Sequence, residues 1–125
     1  MIELYHHGSS VCAAKVRLVL AEKGLEWKSH YVDILKGDQF SADYMKLNPK
    51  AVVPTLVHNG YPIVESTVIC EYLDEVFPDL PLKPVTARDR AEMRLWTKAV
   101  DELVHPMCAE ITFSASVCTE NLIRR

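Results

Sequence analysis

Three short stretches place chemistry-bearing residues where a ligand could be held: Ser9-Ser10, Val53-Pro54 and Glu65-Ser66. A serine ahead of a helix most often caps orphan amides. Its hydroxyl could also donate to a thiolate, since a positive helix end lowers the pKa of a nearby thiol. Cys12 could supply a thiol, but it lies two residues further into the helix, and a buried inert cysteine is the commoner case. Val53-Pro54 interrupts "AVVPTLV", a β-branched run that would otherwise read as one strand. Proline cannot donate to a ladder. An X-Pro bond adopts cis at modest cost. In cis, the Val53 amide and carbonyl could turn outward and pair with an extended peptide-like ligand, as an added strand would. A trans proline opening an edge strand is the simpler alternative. Ser66 reads as an N-cap, and a helix N-terminus suits a carboxylate. Glu65 beside it could meet an ammonium, so the pair answers both charges of an amino-acid-like group.

The elements that must position these residues follow from periodicity and punctuation. Ile2 to Tyr5 alternates as a strand, and Val11 to Lys23 is rich in helix formers with Gly24 as a stop. Glu26 to Val32 reads as a second strand. Asp38 to Leu47 reads as a short helix ending before Asn48-Pro49. Thr55 to His58 and Tyr61 to Val64 flank Asn59-Gly60, a hairpin signal. Ser66 to Val76 is a helix ending at Phe77-Pro78. The order β-α-β-α-β-β-α predicts an α/β fold with a mixed sheet. Its first two strands should be parallel through a right-handed crossover.

Residues 78–85 hold three prolines, Pro78, Pro81 and Pro84, and read as a linker. Thr86 to Asp89 resembles a capping box. Met93, Trp96, Val100, Leu103 and Met107 then recur at helical spacing, predicting one amphipathic helix kinked or broken near Pro106. Core packing is the ordinary role of such a stripe. One or two helices cannot bury it alone, so other helices or a partner should cover it. The chain stops one helix into this second segment, and Arg124-Arg125 would suit a trypsin-like cut.

Bulk properties narrow the classes. The chain has 125 residues, half of them hydrophobic, with a net charge of −3. No Lys/Arg run favours nucleic acid, and no segment is long and apolar enough to span a membrane. Cys12, Cys70, Cys108 and Cys118 are scattered, without the spacing of a zinc site or disulfide framework. A reduced, cytoplasmic setting and no metal are expected.

The element order, "VVPTL", "VESTVICEYL" and the proline-rich linker into "RAEMRLWTKAVDEL" resemble a glutathione transferase over nearly the whole chain. "ESTVICEYL" with "RAEMRLWTKAVDE" is close to bacterial glutathione-dependent β-aryl etherases and their relatives. The resemblance implies a thioredoxin-like glutathione-binding domain over residues 1–77, a linker over 78–85, and the first part of an all-helical domain over 86–125. It implies that Pro54 is cis and that the Val53 backbone pairs with the cysteinyl part of glutathione. It implies that Glu65 and Ser66 hold the γ-glutamyl end. The hydroxyl that stabilises the glutathione thiolate falls on Ser10, with Ser9 its neighbour. Gln39 or Lys50 could serve the glycine carboxylate. A homodimer is expected. The tyrosine that some classes use is not apparent, since Tyr5 lies inside the first strand.

The expected activity is attack of enzyme-bound glutathione thiolate on a small hydrophobic electrophile, a detoxification-type transfer. Two alternatives stand beside it: a non-catalytic binding module, and a thiol-disulfide oxidoreductase using Cys12.

Overall fold

The structure is a computed structural model describing residues 1–123, with side chains through residue 115. Cys118 and Arg124-Arg125 lie outside what is described. The chain forms two compact units, Met1–Lys83 and Pro84 onward.

In the first unit the elements are β1 (Ile2–His6), α1 (Val11–Glu22), β2 (Lys28–Tyr31), a 3₁₀ turn (Asp38–Phe40), α2 (Ala42–Leu47), β3 (Thr55–His58), β4 (Tyr61–Val64) and α3 (Ser66–Val76). The four strands form one mixed sheet in the order β2-β1-β3-β4. β1 and β2 run parallel, and β1/β3 and β3/β4 are antiparallel. Asn59 and Gly60 both take positive φ, 50° and 82°, as a tight hairpin turn requires. Pro62 sits in the edge strand β4, where a missing donor is tolerated.

One face of the sheet carries the core. Ile2 and Leu4 alternate along β1, Leu56 and Ile63 extend the layer, and helical pairs Val16/Leu20 and Ile69/Leu73 close over it. Full burial of such a side chain is worth about 1.5–3 kcal/mol. This set therefore fixes α1 and α3 to the sheet, and with them the two helix N-termini.

Three local features differ from the sequence expectation. The Asp38–Leu47 helix is divided: Ser41 takes extended φ/ψ of −61° and 144°, ends the 3₁₀ turn and caps α2 by accepting from the Tyr44 amide. Ser66 is not an N-cap but the first residue of α3. The cap position belongs to Glu65, at φ 70° and ψ 113°, with no side-chain cap bond. The strand β2 is also shorter than the expected 26–32.

The connecting segment packs back on the first unit. Lys23 Nζ lies 2.7 Å from Asp74 Oδ1, with both side chains buried, and also donates to the Leu80 carbonyl at 2.7 Å. Asp74 accepts from the Leu82 and Lys83 amides at 2.8 and 3.1 Å. Burial pushes the Asp74 carboxyl upward, but the Lys23 bond and the two amides outweigh it and hold the group below the ordinary carboxylate range.

The second unit contains α4 (Ala87–Ala99), a π-helical turn (Val100–Val104) and α5 (His105–Ile123). Thr86 caps α4 by accepting from the Asp89 amide at 3.1 Å. The π turn lies directly ahead of Pro106, whose ring crowds the carbonyl four residues back and whose nitrogen cannot donate. The expected break is thus a local widening of one helical run. Of the expected stripe, Trp96 is 70% exposed and Leu103 and Met107 are each 64% exposed, while Val100 and Met93 are partly covered, so most of it is not core within the described residues. No helix among the described residues is long and apolar enough to cross a membrane.

Candidate functional site

The register gathers the singled-out residues at one end of the sheet. Tyr5 pairs with Thr55, and Thr55 pairs with Val64. The loop after β1 carries Ser9 and Ser10, Val53-Pro54 precedes β3, and Glu65-Ser66 follows β4, so all three open from this end. The N-termini of α1 and α3 start there too, and each helix presents its positive end. β2 runs parallel to β1, so the segment that follows it, toward Gln39, leaves from the same end.

Ser10 is the N-cap of α1, with extended φ/ψ, and its Oγ accepts from the Ala13 amide at 3.2 Å. Accepting leaves the hydroxyl proton available to donate. Ser9 is exposed, and its Oγ lies 2.8 Å from His7 Nδ1. Cys12 lies inside α1, half-buried, with its thiol not in a disulfide. Arg17 braces the loop from one turn further along α1. It donates to the His7 carbonyl at 3.2 Å, to the Gly8 carbonyl at 3.4 Å and to His6 Nδ1 at 3.2 Å. Burial, then Arg17, then His7 hold His6 below the ordinary imidazole range. The ring is therefore neutral, and with Nδ1 accepting, its Nε2 donates to Ser29 Oγ at 2.8 Å.

The Val53–Pro54 peptide is cis. The preceding loop is held from below by a buried polar network. Tyr44 Oη donates to the Val52 carbonyl at 2.6 Å, and Asn48 Nδ2 donates to the same oxygen at 3.0 Å. Both side chains also meet Thr55 Oγ1, at 2.9 and 3.1 Å. Burial pushes the Tyr44 phenol upward, against the Thr55 and Asn48 bonds, so it remains a donor. With Val52 so held, Val53 follows with an amide and carbonyl for which no partner is found among the described residues.

Glu65 is exposed, and its Oε1 is 2.9 Å from Lys50 Nζ. Ser66 is buried at the head of α3. Across the site, Lys15 Nζ donates to Thr67 Oγ1 at 3.1 Å and links α1 to the first turn of α3. Gln39 turns inward: its amide donates to the Ile34 carbonyl at 3.1 Å, and its Oε1 is buried without a partner. Of the two candidates for a ligand carboxylate, Lys50 thus lies beside Glu65, while the Gln39 amide is committed to its own loop. No cluster of residues suited to a metal is present among the described residues.

Arg17, Tyr44, Asn48 and His7 were not singled out from sequence. Tyr44 and Asn48 stand four apart on and just after α2 and so share one helix side. That spacing was the available signal.

The family model for the glutathione S-transferase N-terminal domain matches residues 9–76, more than half of the chain. The chain belongs to the glutathione S-transferase family. It is 47% identical to Protein LigF of Sphingobium over 81% of this chain and 40% of that one. The crystal structure titled beta-etherase LigF superposes with a TM-score of 0.76, covering 81% of this chain and 42% of that one. Glutathione S-transferase Z1 of Arabidopsis thaliana is 44% identical over 72% of this chain and 41% of its own length. A glutathione transferase homologue from Sulfitobacter, solved with bound glutathione, shares the fold at a TM-score of 0.82 and 24% identity, over 87% of this chain and 52% of that one. The chain spans about two fifths of the length of the two curated relatives. The first unit is thus the family's thioredoxin-like α/β domain, followed by a helical segment.

Proposed function

We propose that this chain binds glutathione at the end of the sheet where β1 leaves and β3 enters, and presents the thiolate to a small hydrophobic electrophile. The observation that carries the proposal is the Val53 backbone, which has no partner among the described residues and precedes β3 at the sheet end where α1 and α3 start. An extended tripeptide finds there what each of its parts needs. The Val53 amide and carbonyl pair with the cysteinyl unit as an added strand would. Glu65 meets the γ-glutamyl ammonium, and Ser66 at the α3 N-terminus meets its carboxylate. Lys50 or Gln39 serves the glycine carboxylate. Ser10, with Ser9 its neighbour, donates to the thiolate, and the α1 N-terminus favours the negative sulfur. Stabilising developing charge with preset donors and fixing the nucleophile in place are what such a site contributes to rate.

In this proposal residues 1–77 are the glutathione-binding domain, 78–85 the linker, and 86–125 the first part of an all-helical domain. The exposed stripe around Trp96 is covered by further helices or by a second copy in a homodimer. A cytoplasmic setting accords with Cys12, Cys70 and Cys108 standing outside any disulfide. The relatives' names support transfer chemistry, including ether cleavage, without specifying this chain's electrophile.

Calorimetric titration with glutathione tests the proposal. Saturable binding that S-methylation of the ligand weakens is expected, because the methyl group removes the thiolate that the α1 end receives. No binding of glutathione in any form would sink it.

A further inference from the structure

Behind the exposed Ser9 hydroxyl lies a group with proton chemistry. His7 is only 5% exposed. Its Nδ1 lies 2.8 Å from Ser9 Oγ and accepts the Ser9 amide at 3.3 Å. On the far side of the ring, Nε2 faces Asp33 Oδ1 at 3.9 Å. With Nδ1 the acceptor, a neutral ring carries its proton on Nε2, toward the carboxylate. The result is a line of carboxylate, imidazole and hydroxyl that ends in solvent next to Ser10. Other groups face this histidine. Arg17 from α1 binds its carbonyl, His6 adjoins it, and the Tyr31 ring from β2 lies 5.1 Å away. The Arg17 cation opposes an imidazolium, but it is held on the backbone and on His6, whereas Asp33 faces the ring itself.

We propose that His7, backed by Asp33, takes the proton of the glutathione thiol through Ser9, while Ser10 donates to the thiolate that results. This rests on the glutathione-binding reading above. In the step, the S–H bond breaks and its proton passes to Ser9 Oγ as the Ser9 hydroxyl proton passes to His7 Nδ1. The products are a thiolate and an imidazolium beside Asp33, with no change of oxidation state. The same path reversed returns the proton to the leaving group expelled when the thiolate attacks. His7 acts through Ser9 and is a positioning residue, not one that touches the ligand.

The test uses the intact protein with glutathione. Ultraviolet absorbance follows the bound thiolate as pH varies, and calorimetry in buffers of different ionisation enthalpy counts protons released on binding. In wild type the proton stays on His7, so thiolate forms with little release. His7→Asn keeps a hydrogen-bonding group for Ser9 but cannot take the proton. It should bind glutathione comparably, carry about tenfold less thiolate at neutral pH, and release to buffer whatever proton its thiol loses. Ser9→Ala removes only an exposed hydroxyl and should give the same displacement, with no further loss in the double variant. Wild-type protein that binds no glutathione would overturn the functional reading. Glutathione bound with superimposable ionisation curves in wild type, His7→Asn and Ser9→Ala would overturn the role of His7 alone.

Discussion

The Lys50 ammonium stands 2.9 Å from the Glu65 carboxylate and ties the loop leading into Val53-Pro54 to the residue that opens α3. Both side chains are largely solvated, so the pair itself is worth at most about 1 kcal/mol. It matters more as a pre-placed dipole: a zwitterionic ligand end arriving there meets a carboxylate and an ammonium side by side.

Glu65→Ala should therefore weaken glutathione binding by about 1.5–3 kcal/mol, the value of a hydrogen bond to a charged group. Lys50→Ala should cost less, since it removes one carboxylate partner while freeing Glu65 for the ligand ammonium. Calorimetry on both variants checks this. Equal affinity for Glu65→Ala and wild type would displace the γ-glutamyl end from this position.

Ser10 caps α1 and, in the proposed function, also donates to the thiolate, two roles that substitution can separate. Ser10→Ala removes both the cap and the donor hydroxyl, and should lower stability by about 1 kcal/mol as well as slowing conjugation at neutral pH. Ser10→Gly keeps most of the cap's stability yet still lacks the hydroxyl, so it should show the rate loss with little change in denaturation midpoint. Raising the pH should restore part of the rate in both. Cys12→Ala should leave the pH–rate profile where it is. Activity lost in Cys12→Ala and retained in Ser10→Gly would move the chemistry to the cysteine.

The network under Val52 should act on binding more than on folding chemistry. Tyr44→Phe removes a donor from a carbonyl that Asn48 still serves, so a loss of about 1 kcal/mol in stability is expected. The looser loop should then reduce glutathione affinity without changing the pH dependence of the reaction. Because burial raises the Tyr44 phenol, its stabilising contribution is complete below the ordinary tyrosine range. It declines as pH climbs through the raised value, and Tyr44→Phe should flatten that alkaline decline.

For Lys23 and Asp74 the expected cost is larger. Asp74→Ala leaves the Lys23 ammonium buried without its carboxylate and two amides without an acceptor, and should cost about 3–5 kcal/mol. The sign with pH runs the other way from Tyr44. The folded Asp74 carboxyl titrates below its unfolded value. Its contribution is therefore present above the ordinary aspartate range and is lost as pH falls through the depressed value. Urea unfolding at a series of acid pH values should show a steeper fall for wild type than for Asp74→Ala.

The strands β3 and β4, the hairpin and the span of α3 were legible because each depends on local signals: alternation, Asn-Gly, Pro78 after the helix. The split at Ser41 was not, since a serine inside a helix-forming run reads as neutral until its cap bond is seen. Glu65 at positive φ was likewise hidden. That backbone is uncommon for a residue with a β-carbon, and nothing in the residue type signals it. The candidate residues were found by type and by resemblance; their common place at one sheet end follows from a strand register that no single segment encodes. Missed entirely were partners far apart in the chain, such as Lys23 with Asp74, and His7, a polar residue whose burial has no periodic signature.

The clasp at Asp74 also says where this protein can be divided. A cut after α3, at residue 77, would pass through apparently plain connecting chain. Yet it would strip the Leu80 carbonyl from Lys23 and the Leu82 and Lys83 amides from Asp74, leaving a charged pair partly solvated inside the remainder. Excised at residue 83 instead, the α/β half keeps every one of these bonds. The unit that could be grafted onto another helical partner as a self-supporting cassette therefore carries the proline-rich strap with it.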